Sequence, residues 1–282
     1  MGLLLNLIKG IVFGIVQGIT EWLPISDAGH MMMINSWMPF VITDPEKLAA
    51  FWQLFKVFLQ FGCAAAVFVQ FGNRLNPMAA EDEKEKVSIT RLWLMILIAD
   101  LPSGILGLLL YKVLHTTLYT AVITAVTIMV IGAVLIFLPA SNTKQDGLNR
   151  ITLPVALKTG LIGILSLLPG VSRAAGMMIG GSLAGLSRRT AAEFSVVSAV
   201  PWIIVSGIYR IITAHAPFYA SAIPVFIVGM IASFVVSAMV ISSLRTFVRR
   251  NSFKVFGYYR IVLGVLMLVL ALMKVMPEVL LG

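Results

Sequence analysis

The chain has 282 residues, 59% of them hydrophobic and 12% charged, and its mean hydropathy is +0.99. That composition excludes a soluble domain, and apolar runs recurring near the bilayer-spanning length of about 20 residues indicate a polytopic, all-α membrane protein rather than a β-barrel of short alternating segments. The formal charge of +9 is spread over short loops between apolar runs, as orientation signals are, and does not form a nucleic-acid-binding face.

Cys63 is the single cysteine, inside an apolar run, so neither a disulfide framework nor a thiolate metal site is expected. Lys9 precedes no small-residue cleavage site, and no removable signal peptide is expected.

The first polar feature is the stretch Gly10 to Ile34, which collects Gln17, Thr20, Glu21, Ser26, Asp27 and His30 around Pro24-Ile25-Ser26-Asp27-Ala28-Gly29. Gln17 and Glu21 are four apart and share a helix face. The Pro24–Gly29 segment cannot continue that helix unbroken. Irregular backbone at membrane depth must be buried in protein or line a wet cavity, so a helix, a turn and a second helix dipping into the bilayer are predicted. A kinked spanning helix with polar residues at its mouth is the alternative.

A polar connection follows at Pro39–Lys47, then a span at about Ala50–Phe71 and a charged, solvated loop at Gly72–Thr90. Spans at about Arg91–Leu110, which contains Asp100-Leu101-Pro102, and Tyr119–Leu138 complete the first half. Ser141–Arg150 is a linker rich in turn residues. The second half opens with another apolar segment broken by polar residues, Leu157 to Gly185, and continues with spans at about Ala192–Ile212, Ile223–Ser243 and Val255–Val275.

Lysine and arginine bias places the loops Arg74–Arg91, Lys144–Lys158 and Arg245–Lys254 in the cytoplasm, and those at Pro39–Lys47, Lys112–Leu118 and Ala214–Ala222 outside. These signs require each broken segment to enter and leave on one side, which gives six transmembrane helices plus two re-entrant helical hairpins. Leu23-Pro24-Ile25-Ser26-Asp27 echoes Leu168-Pro169-Gly170-Val171-Ser172-Arg173, and a Met-Met-Ile run follows each. The expected architecture is a single membrane domain built as an inverted-topology repeat, residues 1–140 and 150–282, with its site where the broken helices meet.

The two turns carry complementary chemistry. Glu21, Ser26, Asp27 and His30 supply carboxylates, a hydroxyl and an imidazole for proton transfer or nucleophilic attack. Gly170, Ser172 and Arg173 form an anion cradle, because guanidinium geometry matches phosphate oxygens and helix-start N–H groups favour anions. Together they suggest phosphoryl-transfer chemistry on a lipid headgroup. Glu21 and Asp27 could also hold a divalent cation, Mg²⁺ or Ca²⁺, since hard cations prefer oxygen.

These motifs resemble the bacitracin-resistance type of undecaprenyl-diphosphate phosphatase over essentially the whole chain. The residues that carry the resemblance are Gln17, Glu21 and Pro24 to His30, then Pro169-Gly170-Val171-Ser172-Arg173, then Gly185 to Arg189 and Ala192 to Ser195. The resemblance implies removal of the terminal phosphate of a polyprenyl diphosphate, undecaprenyl diphosphate, at the outer face of the bacterial plasma membrane. It assigns catalysis to Glu21, Ser26, Asp27 and His30, and substrate binding to Gln17, Gly170, Ser172 and Arg173. Three positions depart from the pattern: Asp27 stands where the family has a serine, and Ala174 and Met177 replace a serine and a threonine. A non-hydrolytic carrier or flippase-like paralogue, and a membrane sensor, are the competing readings.

His115 and His215 read as surface histidines in outside turns. Glu193 either faces the site or forms a structural ion pair, and Asp100 either caps a helix broken at Pro102 or takes part in catalysis.

Overall fold

The computed structural model describes residues 2–113, 118–139, 146–213 and 220–276. The predicted turns at His115 and His215 lie outside the described residues. Among the described residues the architecture is helical, with no strand. The first half comprises α1 (Gly2–Thr20), α2 (Asp27–Trp37), α3 (Pro45–Leu75), α4 (Glu83–Val113) and α5 (Ala121–Phe137). The second comprises α6 (Leu153–Gly163), α7 (Arg173–Leu183), α8 (Arg188–Thr213), α9 (Ile223–Arg250) and α10 (Lys254–Leu272).

The helices outrun the predicted spans at their charged ends. The expected loop Gly72–Thr90 shortens because α3 runs to Leu75 and α4 starts at Glu83. Glu83 and Glu85 sit in the first turn of α4, where they complement the helix dipole, and Asp82 accepts the Glu85 N–H at 2.7 Å. The expected loop Arg245–Lys254 is largely the last turn of α9, where Arg249 and Arg250 face the negative dipole end. Pro102 lies inside α4 without ending it, so Asp100 does not cap a broken helix.

Among the described residues, six helices are long and apolar enough to cross a membrane: α1, α3, α4, α8, α9 with its preceding turn, and α10. By length and apolar composition α1 matches a spanning helix although it forms one arm of a hairpin, while α5, with 17 residues, lies at the lower end of the spanning range. Large apolar side chains cover the outside: Leu109, Val262 and Ile212 are 73%, 69% and 74% exposed, a surface that only lipid tolerates.

The hairpin ends show how each broken segment runs. Near the start of α1, Asn6 exchanges two hydrogen bonds with the Val41 backbone, at 2.9 and 3.4 Å, and Lys9 donates to the Pro39 carbonyl. The α1–α2 hairpin therefore begins and ends at the same level, beside the start of α3. In the second half, the Gly147 N–H donates to Thr190 Oγ1 at 2.8 Å and Asp146 accepts from Ser187 and Thr190, so the α6–α7 hairpin also closes on itself. Arg74, at the far end of α3, reaches Glu193 beside that second closure at 3.6 Å. With 31 residues, α3 is about 46 Å long at 1.5 Å per residue. The two hairpins thus start from opposite ends of α3 and point toward each other.

Close helix contacts hold them there. Gly10, Gly14 and Gly18 form a stripe along α1 that admits the α9 backbone; a Cβ on Gly18 would lie 2.8 Å from the Ser233 carbonyl oxygen. In the other half, α6 packs on α4 through Gly160 against the Ala99 backbone. The first helix of each hairpin thus lies against the second long helix of the opposite half.

Candidate active site

Both hairpin turns end on a serine in a left-handed conformation that non-glycine residues avoid. Ser26 has φ 76° and Ser172 has φ 58°. Each is the N-cap of the following helix: Ser26 Oγ accepts from the Gly29 N–H and Ser172 Oγ from the Ala175 N–H, both at 3.2 Å. The cap bonds hold a strained backbone, and strain of this kind collects at functional sites. After each serine, the first N–H groups of α2 and α7 are left without carbonyl partners, making two positive helix ends.

These ends meet at one cavity of about 530 Å³. Glu21, Asp27, Gly170, Ser172 and Arg173 all line it, so the two turns form one site. Its cations are Lys56, Arg173 and Arg210, its carboxylates Glu21, Asp27 and Asp100. Leu101, Ile105, Leu108 and Val205 supply an apolar wall.

Arg173 is already engaged. Its Nη2 donates to Asp100 Oδ1 at 2.5 Å and to the Ser198 carbonyl at 2.7 Å, its Nη1 to the Ser195 carbonyl at 3.2 Å, and its guanidinium lies 5.8 Å from the Trp202 ring centroid. The Nε–H bonds nothing among the described residues. Asp100 is thus the counter-ion of the cradle arginine, and its other oxygen is buried with no hydrogen-bond partner among the described residues.

Three sequence-predicted site residues stand behind the wall. Gln17 is buried and donates to Glu21 Oε2 at 2.5 Å, so it orients the carboxylate instead of lining the cavity. Ser26 is fully buried by its capping role. His30 Nδ1–H donates to the Ser26 carbonyl at 2.6 Å, which leaves Nε2 as the acceptor for the Tyr259 hydroxyl, also at 2.6 Å. Both imidazole nitrogens are occupied, and the ring braces the turn that carries Asp27. Glu193 belongs elsewhere: it is 2% exposed and pairs with Arg74, Arg189 and Arg245, a structural ion cluster away from the cavity.

Arg260 escaped the sequence reading. It is fully buried on α10 and donates to the carbonyls of Pro24 (3.0 Å), Gly170 (2.5 Å), Val171 (3.3 Å) and Ile128 (3.3 Å). One guanidinium therefore ties the first turn to the second. The signal was present, since a lone arginine in an apolar run is functional by default. Its partners are backbone carbonyls from distant segments, which no spacing rule reveals. Among the described residues, no three His, Cys, Asp or Glu side chains gather as a metal-binding group, so a cation at Glu21 and Asp27 would need further ligands.

Fold and site define a class: a polytopic helical membrane protein whose two broken-helix hairpins close on a charged cavity with an apolar wall. The sequence profile described as bacitracin resistance protein BacA matches residues 10–266, and the chain belongs to that family. Among curated relatives, undecaprenyl-diphosphatase 1 of Clostridioides difficile (strain 630) is 37% identical over 268 residues, covering 94% of this chain and 96% of that one. The undecaprenyl-diphosphatase of Enterococcus faecalis is 34% identical over 273 residues, 94% and 97% of the two chains. That of Acetivibrio thermocellus is 33% identical over 268 residues, 93% and 97%.

Proposed function

We propose that this chain hydrolyses undecaprenyl diphosphate to undecaprenyl phosphate and inorganic phosphate, recycling the carrier lipid of cell-wall synthesis. The observation that carries this reading is the placing of Glu21 and Asp27 on one cavity wall with Ser172 and Arg173. The anionic headgroup meets the α2 and α7 N-termini and Arg173, while the polyprenyl chain lies along Leu101, Ile105 and Leu108. The bond that breaks is the phosphoanhydride P–O bond, and water supplies the oxygen and protons of the released phosphate. Asp27 attacks the terminal phosphorus, or takes the proton from an attacking water, with Gln17 holding Glu21 beside it. Arg173 balances charge on the phosphoryl oxygens in the transition state.

The packing supports an inverted repeat of residues 1–140 and 150–282: α1 lies on α9 as α6 lies on α4, and the strained N-cap serines recur. The ion cluster at Arg74, Glu193 and Arg245 marks the cytoplasmic end by the positive-inside rule. We place the protein in the bacterial plasma membrane with the cavity reached from the outer side.

The test is phosphate release from undecaprenyl diphosphate by purified protein in detergent, with and without Mg²⁺ or Ca²⁺. Asp27→Asn is expected to abolish release, and Asp27→Ser to retain part of it. A wild-type protein that binds the lipid under every metal condition without turnover would make it a carrier. Full activity in Asp27→Asn would keep the enzyme and pass the attack to water activated elsewhere on the cavity wall, since Ser26 is fully buried by its capping role.

A further inference from the structure

We infer that Lys56 and Arg210 form a second phosphate-binding subsite, at the α3–α8 wall of the cavity, distinct from the cradle at Ser172 and Arg173. The inference rests on the lipid-diphosphate reading above and extends it to residues that the motifs do not include.

Lys56 and Gln60 are four apart on α3 and share one face, as Ser206 and Arg210 do on α8. All four line the cavity. The two faces are held side by side where Gly207 of α8 meets α3: a Cβ there would lie 2.6 Å from Phe61 Cε1 and 3.1 Å from Val57 Cγ1. Val57 and Phe61 each follow one of the cavity residues, so the contact sets the register of Lys56 and Gln60 against Ser206 and Arg210.

The charges are arranged for an anion. Lys56 and Arg210 act electrostatically on each other, and Asp27 is the acidic group that acts on Lys56. Arg210 is half-buried and makes no hydrogen bond or ion pair among the described residues. Arg173, by contrast, is held by Asp100, Ser195 and Ser198. Two like charges brought together on a wall shared with Leu101, Ile105 and Val205 repel, and a phosphate between them offsets that repulsion. The guanidinium and ammonium offer several donors to phosphate oxygens.

The ligand chemistry is a phosphoryl oxyanion, available either from the diphosphate headgroup or from the inorganic phosphate product. The experiment separates these sources. Calorimetric titration of the purified full-length protein in detergent with inorganic diphosphate reads anion binding in the cavity apart from lipid turnover, and the share lost in Lys56 and Arg210 variants reads the subsite. Arg210→Gln and Lys56→Gln should each weaken binding several-fold, and the double variant about tenfold or more. Arg210→Lys and Lys56→Arg should retain most of the affinity, and thermal unfolding checks that all variants fold.

In the hydrolysis assay, a rise in KM for undecaprenyl diphosphate with kcat nearly unchanged assigns the subsite to the headgroup. Loss of inhibition by inorganic phosphate at unchanged KM assigns it to the product. Wild-type affinity in the folded double variant, or no binding of inorganic diphosphate by the wild type, overturns the subsite. Absent hydrolysis with intact, Lys56- and Arg210-dependent binding would instead remove the enzymatic reading and leave the subsite standing.

Discussion

Replacing Arg260 tests whether the two turns work as one site. The guanidinium donates to Pro24 of the first turn, to Gly170 and Val171 of the second, and to Ile128 of α5. In Arg260→Met the three turn carbonyls lose a charge-assisted donor in a buried place. Each orphaned acceptor costs about 1–3 kcal/mol, together about 3–9 kcal/mol. Removing a buried guanidinium also relieves several kcal/mol of desolvation. The difference is a net loss of stability wherever the orphaned carbonyls outweigh that relief, readable as a lower thermal midpoint in detergent.

Arg260→Lys is the sharper variant. It keeps a cation but cannot present a planar fork to carbonyls from three segments. The turns then lose their fixed spacing, and a displacement of about 1 Å at reacting groups lowers turnover about 100-fold. The assays are phosphate release and thermal unfolding on the same preparations. Wild-type turnover and midpoint in both variants would refute the reasoning and leave Arg260 as a dispensable packing residue.

Arg173→Lys should fold normally and lose most of its turnover, since an ammonium cannot keep the bonds to Asp100, Ser195 and Ser198 while facing a phosphate; unchanged kinetics would remove Arg173 from the reaction. Gly170→Ala should destabilise the second turn by about 1–3 kcal/mol, because Gly170 sits at φ 89° and its Cβ would lie 2.6 Å from the Thr124 carbonyl oxygen; an unchanged thermal midpoint would contradict this. Hydrogen bonds from Ser187 and Thr190 and the charge of Arg189 hold the Asp146 carboxyl below the usual carboxylate range. A depressed folded-state pKa adds stability above the unfolded value of about 3.9 and loses it as pH falls toward the folded value. Asp146→Ala should therefore reduce amide protection at Gly147 at neutral pH, with a difference that shrinks below about pH 3.9; a difference independent of pH would assign the effect to packing.

Much of this protein is written in local chemistry. Apolar runs of spanning length determine membrane residence, because nothing but lipid accepts such side chains in bulk. Pro24 and Pro169, each followed within three residues by a serine, mark the turns that follow the ends of α1 at Thr20 and α6 at Gly163, and those serines cap α2 and α7. Helix ends were harder to read, since the charges of Glu83, Glu85, Arg249 and Arg250 suggest loops when their dipole interactions in fact extend α4 and α9.

Tertiary structure decided what the polar residues face. Glu21, Asp27, Ser172 and Arg173 share a cavity because opposed hairpins meet between α3, α4 and α8, a contact across more than a hundred residues. The same packing turns His30 toward Tyr259, gives Arg173 to Asp100, and buries Arg260 among carbonyls of both turns. Each assignment depends on which distant group completes a hydrogen bond at membrane depth, where an unpaired polar atom costs several kcal/mol. Periodicity along one helix names the face a residue occupies, but the partner on the far side of that face exists only once the chain has folded.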